Sequence, residues 1–205
     1  MGLALQVGGF DDEDQEIFDP LSAALVEAGL PPYEEPRSPG AEAVYSCGMW
    51  GYSGLHTLRR VAAYLGEGLP IPGPSREHAA SDPVLEGFYD LMAPGFEHLV
   101  LHSDCEGFYA PIRFEEVIFP SDELKVPGGM VGSAVKLLEE CLRLAQWLEL
   151  PTDIDAEGDE VWAAAETPVT EGPKWKRYGV ESFTCIRLIR ACEASIKSGA
   201  ALVFC

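Results

Sequence analysis

Between Val131 and Leu148 apolar residues recur at steps of three and four: Val131, Val135, Leu138, Leu142, Ala145 and Leu148. Leu137, Cys141, Leu144 and Trp147 widen the stripe beyond a single seam. A helix this apolar around its circumference must be covered on several sides, so the rest of the chain has to build a core around it. Ser133 stands where an N-cap belongs, and Pro151 ends the run. A second long helix is expected from roughly Val180 to Ser198, with Phe183, Ile186, Ile189, Cys192 and Ile196 as its apolar positions and Gly199 as its stop.

Shorter elements surround these two. Leu3 to Val7 reads as a strand. Asp19-Pro20 reads as the N-cap and first position of a helix with Leu21, Ala24, Leu25 and Ala28 on its inner face. Ala43 to Cys47 reads as another strand, and Ser53 as the cap of a helix reaching Leu65. In that helix Leu55, Leu58, Val61, Ala62 and Leu65 share a face, with His56, Arg59 and Arg60 towards the other. Pro83 opens a helix through about Met92. Glu97 to His102 reads as a central strand that pairs in a hairpin with Phe108 to Ala110. Glu157 to Glu166 reads as a helix, and Ala200 to Phe204 as a terminal strand. This pattern points to a single domain over 1–205, α/β or α+β, with a small sheet of short strands, about four to six helices and long loops. The segments 11–16 and 152–172 are expected to be flexible.

Charge narrows the function. The chain has 34 Asp+Glu against 14 Lys+Arg, a net −20. Its hydrophobic content of 47% excludes wholesale disorder despite that charge. Binding to nucleic-acid phosphates needs a basic face, and binding to an anionic membrane needs basic clusters, so both are set aside. The imbalance is uneven. Residues 174–205 hold six Lys+Arg and two Asp+Glu, and 1–173 hold eight and 32. No apolar run is long enough to span a membrane, and the first residues lack the basic and apolar regions of a signal peptide, so the cytoplasm is the expected location. None of the six cysteines forms a C-x-x-C pair, and Cys141, Cys185 and Cys192 fall in apolar helical settings, which suits buried free thiols.

The densest polar cluster runs from His98 to Tyr109. On a strand His98 and His102 would share a face, with Asp104 and Glu106 in the turn that follows. Two imidazoles and two carboxylates are adequate ligands for a divalent metal, so His98, His102, Asp104 and Glu106 form a candidate metal site. His102, Asp104 and Glu106 would be the catalytic groups of a small metal-dependent hydrolase. Ser103, Asp104 and Gly107 are also ordinary turn formers, and the turn reading is preferred. The Gly128-Gly129-x-x-Gly132-Ser133 run lacks both phosphate-loop endings and reads as a loop before an N-cap. Trp50, Tyr52, His56 and Arg59, with Ser103, Asp104 and Tyr109, make up the candidate binding set, because aromatics and Arg dominate interface hot spots. No cofactor is expected.

His102-Ser103-Asp104-Cys105-Glu106-Gly107-Phe108-Tyr109-Ala110-Pro111 resembles the HSD-x-(D/E)-G-(F/Y)-Y-x-P segment of an uncharacterised family of small bacterial proteins. Tyr52-Ser53-Gly54-Leu55-His56 and Gly132-Ser133 before the Leu-rich helix fit the same likeness, which covers roughly 50–150. Some such small acidic proteins resemble immunity proteins of toxin systems. The expected function is therefore non-catalytic binding, of an immunity type, to a basic protein such as a toxin, with no nucleic acid and no membrane involved. The metal-dependent hydrolase is the alternative. An apolar terminal strand with a free edge could also pair two copies into a dimer.

Overall fold

The structure, a computed structural model, describes residues 3–11, 14–37, 42–74 and 79–205. Asp12 and Glu13 of the acidic run lie outside the described residues. Five strands, β1 (Ala4–Val7), β2 (Tyr45–Gly48), β3 (Gly107–Ala110), β4 (Val131–Ser133) and β5 (Leu202–Phe204), form one sheet of order β2-β1-β5-β3-β4. Only β3 and β4 pair in parallel. Among the described residues there are eight α-helices: α1 (Asp19–Glu27), α2 (Gly51–Gly66), α3 (Pro83–Asp90), α4 (Glu97–Val100), α5 (Ala134–Leu148), α6 (Asp159–Glu166), α7 (Lys174–Arg177) and α8 (Gly179–Ser198). The architecture is α+β, with more helices than the four to six expected. The two extra ones, α4 and α7, are single turns that periodicity is too coarse to resolve.

The period-two alternation of the strands divides the core. Leu5, Val7, Tyr109, Leu202 and Phe204 face one side, where α2, α5 and α8 pack on them. Phe108, Ala110, Val131 and Ala201 face the other side, under Leu21, Ala24 and Leu25 of α1. In register, Leu5 lies opposite Phe204 and Tyr109 opposite Leu202, so each apolar side chain meets another across the ladder.

Helix α8 lies between α2, α5 and α6 and is buried nearly all round: Thr184, Arg187 and Ser195 are buried alongside Phe183, Ile186 and Cys192. The expected single stripe is corrected accordingly, since Ile189 is half-exposed and Ile196 is 37% exposed. Helix α5 begins where Ser133 caps it, its Oγ accepting the Lys136 N–H at 3.3 Å. Val131, expected on that helix, is in β4. Asp19 lies in the first turn of α1, whose N-cap is Phe18, because a 3-10 turn over Gln15–Phe18 runs straight into it. Ser53 lies inside α2, its Oγ donating to the Trp50 carbonyl at 3.3 Å.

Two further expectations are corrected. The terminal strand is the middle strand of the sheet, bonded to β1 on one side and β3 on the other, so it offers no free edge for a second copy. The segment from Glu97 to His102 is no strand and forms no hairpin. It is the one-turn helix α4 followed by a bend. No described helix is long and apolar enough to cross a membrane.

Candidate functional site

An isolated one-turn helix does not hold itself together. Helix α4 persists because side chains from distant elements satisfy both of its ends. At its start, the two carboxyl oxygens of Glu140 on α5 accept the N–H groups of His98 (3.1 Å) and Leu99 (2.7 Å). At its end, Arg59 on α2 donates through Nε to the Leu99 carbonyl (2.8 Å) and through Nη2 to the carbonyls of His102 (2.5 Å) and Ser103 (3.3 Å). Arg59 is 3% exposed, and Glu140 likewise. Arg59, expected on the outer face of its helix, is thus a buried clamp.

The two imidazoles are sealed inside the same network. His98 Nδ1 accepts the Ser133 N–H at 2.9 Å, which leaves the ring proton on Nε2, 3.1 Å from the Glu115 carbonyl. The ring nitrogens of His102 lie 3.1 and 3.0 Å from the carbonyl oxygens of Ser103 and Phe108. Tyr109 stacks on His102 with centroids 3.9 Å apart and donates its hydroxyl to the His98 carbonyl at 2.8 Å. Gly132 makes room for this stack: a Cβ there would lie 2.3 Å from the Tyr109 ring.

The metal and catalytic reading of this cluster is corrected by the same geometry. Both imidazoles face backbone groups, Asp104 turns away to His56 (Oδ2 to Nε2, 2.9 Å), and Glu106 is exposed. Helical backbone at 97–100 removes the shared strand face on which the ligand set depended. Among the described residues no three His, Cys, Asp or Glu side chains are grouped to hold a metal. Ser103 serves the turn, its Oγ accepting the Cys105 N–H at 3.4 Å.

Burial sets the titration of this network. It pushes His98 below the ordinary histidine value and His102 down to about 4. Their folded values lie below the unfolded one. Their stabilising contribution is therefore complete above about pH 6.5 and declines as pH falls towards about 4. Glu140 has the opposite sign. Burial pushes it up to about 8 against the pull of its two N–H partners, so its ionisation weakens the fold as pH rises from the ordinary carboxylate range through about 8. Ring-resolved NMR should find His102 neutral down to about pH 4 and His98 titrating below the ordinary histidine value. A His102 midpoint near the free value of about 6.5 would contradict the sealed network.

The remaining candidate residues are spread out. Trp50 is half-buried, 5.4 Å from Phe183 and 6.2 Å from Trp162 by ring centroid. Tyr52 is 40% exposed. His56, Ser103 and Asp104 are half-exposed, and Arg59 and Tyr109 are buried. Tyr52, His56, Ser103 and Asp104 thus stay within reach of a partner.

Charge is the feature the fold sharpens most. Among the described residues, 24 Asp and Glu are exposed and only five Lys and Arg: Arg37, Arg113, Lys125, Arg143 and Lys197. The basic tail is largely consumed internally. Lys174 pairs with Glu149 at 2.8 Å, Lys176 with Glu160 at 3.5 Å, Arg187 with Glu157 at 2.8 Å and Arg190 with Glu193 at 2.9 Å. Arg187 has a fully buried side chain, and its guanidinium carbon lies 3.6 Å from the Phe183 ring centroid and 5.0 Å from that of Trp162. It anchors an acidic segment that carries seven Asp+Glu and no Lys or Arg over 152–172. The helix expected there over Glu157 to Glu166 is α6, Asp159–Glu166. The segment's charge count was the available signal for a surface feature, and Val161 and Ala165 of α6 are buried with Val180, Phe183 and Ile186 of α8.

Comparison with protein families matches residues 1–204 to the family described as "Putative DNA-mimic protein". No curated protein and no solved structure matches the chain. The family match corrects the expected partner. Excluding nucleic acid altogether and naming a generic basic protein does not fit a family whose description makes DNA the thing imitated. Net charge rules out holding DNA, but it does not rule out resembling it. The match agrees with the expected small acidic family and bears neither on the HSDxEGFYxP segment nor on the immunity-type role. Matched over all but its final residue, the chain belongs to this DNA-mimic family.

Proposed function

We propose that this protein occupies the DNA-binding face of a DNA-binding protein, its carboxylates standing where duplex phosphates would stand. The observation that carries this reading is the surface count of 24 exposed carboxylates against five exposed cations. A DNA-binding face is built to neutralise a dense row of negative charges, about one per 1.7 Å of duplex. A folded surface of the same sign attracts that face over distance and speeds encounter. The role is stoichiometric binding and requires no chemistry.

Displacement of a short fluorescent duplex from a panel of purified DNA-binding proteins tests this, with a nuclease included to cover the narrower immunity-type role. For at least one panel member, the protein should displace duplex competitively. Its affinity should fall about tenfold or more between 50 and 200 mM salt. Simultaneous binding of duplex and protein to that partner, or salt-independent affinity, would overturn the proposal.

A further inference from the structure

The stripe on α5 extends further round the helix than the fold covers. Leu142 is 50% exposed, at the mouth of a hollow of about 180 Å³ between α5 and α8 that also takes in Ile186 and Ile189. Pro151 and Ile154 line this hollow and also a second one of about 420 Å³ beneath α6, floored by Val161 and Trp175. The two adjoin at those shared residues and together form one groove; Arg190 and Glu193, paired with each other at 2.9 Å, also line the first hollow. Asp153, Asp155, Asp159 and Glu160 stand around its second half. Glu160 is tied to Lys176, and Asp155 accepts the Glu157 N–H at 3.0 Å. Asp153, Asp155 and Asp159 form no ion pair among the described residues.

We infer that this groove docks a basic amphipathic segment of the DNA-binding partner, with an apolar side chain against Leu142 and Ile189 and Lys or Arg over Asp153, Asp155 and Asp159. The inference rests on the mimic reading above and adds to it a place and an anchor. Exposed carboxylates alone would attract any cation, whereas an apolar floor beside them favours a segment that carries both features. Charge selects this occupant over a second copy, because two copies at −20 each would bring like-charged rims together.

The probe is a helical peptide with one Leu face and one Lys face. A Lys/Ser peptide of equal charge is the control, and amide NMR shifts locate the binding. The Leu/Lys peptide should bind about tenfold tighter than the control and shift Leu142, Ile154 and Ile189. Leu142→Gln should weaken it about fivefold or more without changing the salt dependence. Asp153→Asn, Asp155→Asn and Asp159→Asn together should weaken it comparably and flatten the salt dependence. Circular dichroism checks that each variant keeps the fold, which the exposure of Leu142 permits. Equal affinity for both peptides, shifts confined elsewhere, or unchanged binding by Leu142→Gln would overturn the inference. Sedimentation should show a monomer. A dimer that Leu142→Gln dissolves would assign the groove to a second copy and also overturn it. Variants that still displace duplex like the parent would remove the groove and leave the mimic reading intact. Failure of the parent to displace duplex from any partner would remove the mimic reading instead.

Discussion

Arg59→Ala is expected to lower the unfolding free energy by about 3 kcal/mol, the upper end for leaving buried hydrogen-bonding groups without their partner. The guanidinium is the donor to three carbonyls at the end of α4, and those of Leu99 and His102 are reached at 2.8 and 2.5 Å. Alanine leaves them without that donor and opens a void where no methyl group can reach. Once α4 loosens, the sealed rings of His98 and His102 lose their surroundings, so the low titration of His102 should rise with the same substitution. Arg59→Lys restores a charge and one or two of the bonds, but lacks the planar fork that serves three acceptors, so it should recover only part of the loss. Urea unfolding followed by far-ultraviolet dichroism measures all three proteins. A loss below about 1 kcal/mol for Arg59→Ala would mean that α4 does not depend on this clamp.

Gly179→Ala should cost about 3 kcal/mol, at the upper end for forcing an extra carbon into a packed site. At the start of α8 the backbone passes so close to α6 that a Cβ would lie 1.8 Å from the Ala164 carbonyl oxygen and 2.3 Å from its carbonyl carbon. Those are backbone atoms, so no rotamer change relieves the collision and α6 has to move. Trp162 travels with it, away from Phe183 at 4.7 Å, and so does the Glu157 contact to Arg187. The loss should therefore come with altered tryptophan emission and looser order in the acidic segment. Gly87→Ala is the control. It lies within α3 with nothing within 4 Å of the added carbon, so alanine there should be neutral or stabilise by up to about 1 kcal/mol. Equal behaviour of the two variants would contradict the close approach of α6 and α8.

Much of the fold was legible where a local rule sufficed. The helix α5, its Ser133 cap and the Gly199 stop of α8 depend on neighbours within one or two turns and lie where expected, but the buried face of α5 is that of Leu137, Cys141, Leu144 and Leu148, with Leu142 turned outward. The strand at Ala4–Val7 and that at Leu202–Phe204 were legible in the same way, as short apolar runs between turn residues. Position within the sheet was not. Whether β5 lies at an edge or in the middle depends on which strands reach it from more than 90 residues away, and nothing within Leu202–Phe204 records that.

The candidate site divides along the same line. The HSDxEG segment stood out because it collects polar residues, yet polarity does not say whether they face solvent or each other. In the folded chain His98 and His102 are turned inward, and the surface feature lies elsewhere, in carboxylates that no motif marks.

The sequence by itself determined the sign of this protein's surface, the presence of two long helices and the alternation of short strands with helices. These follow from composition and from periods of two and 3.6 residues, which are local. Tertiary structure alone decided that 97–100 is a helix, because its end groups are satisfied by Glu140, 42 residues beyond His98, and by Arg59, 40 residues before Leu99. It alone decided which charges show. Most Lys and Arg are folded into ion pairs, carbonyl clamps and aromatic stacks, while carboxylates, too costly to bury without such partners, are left outside in excess.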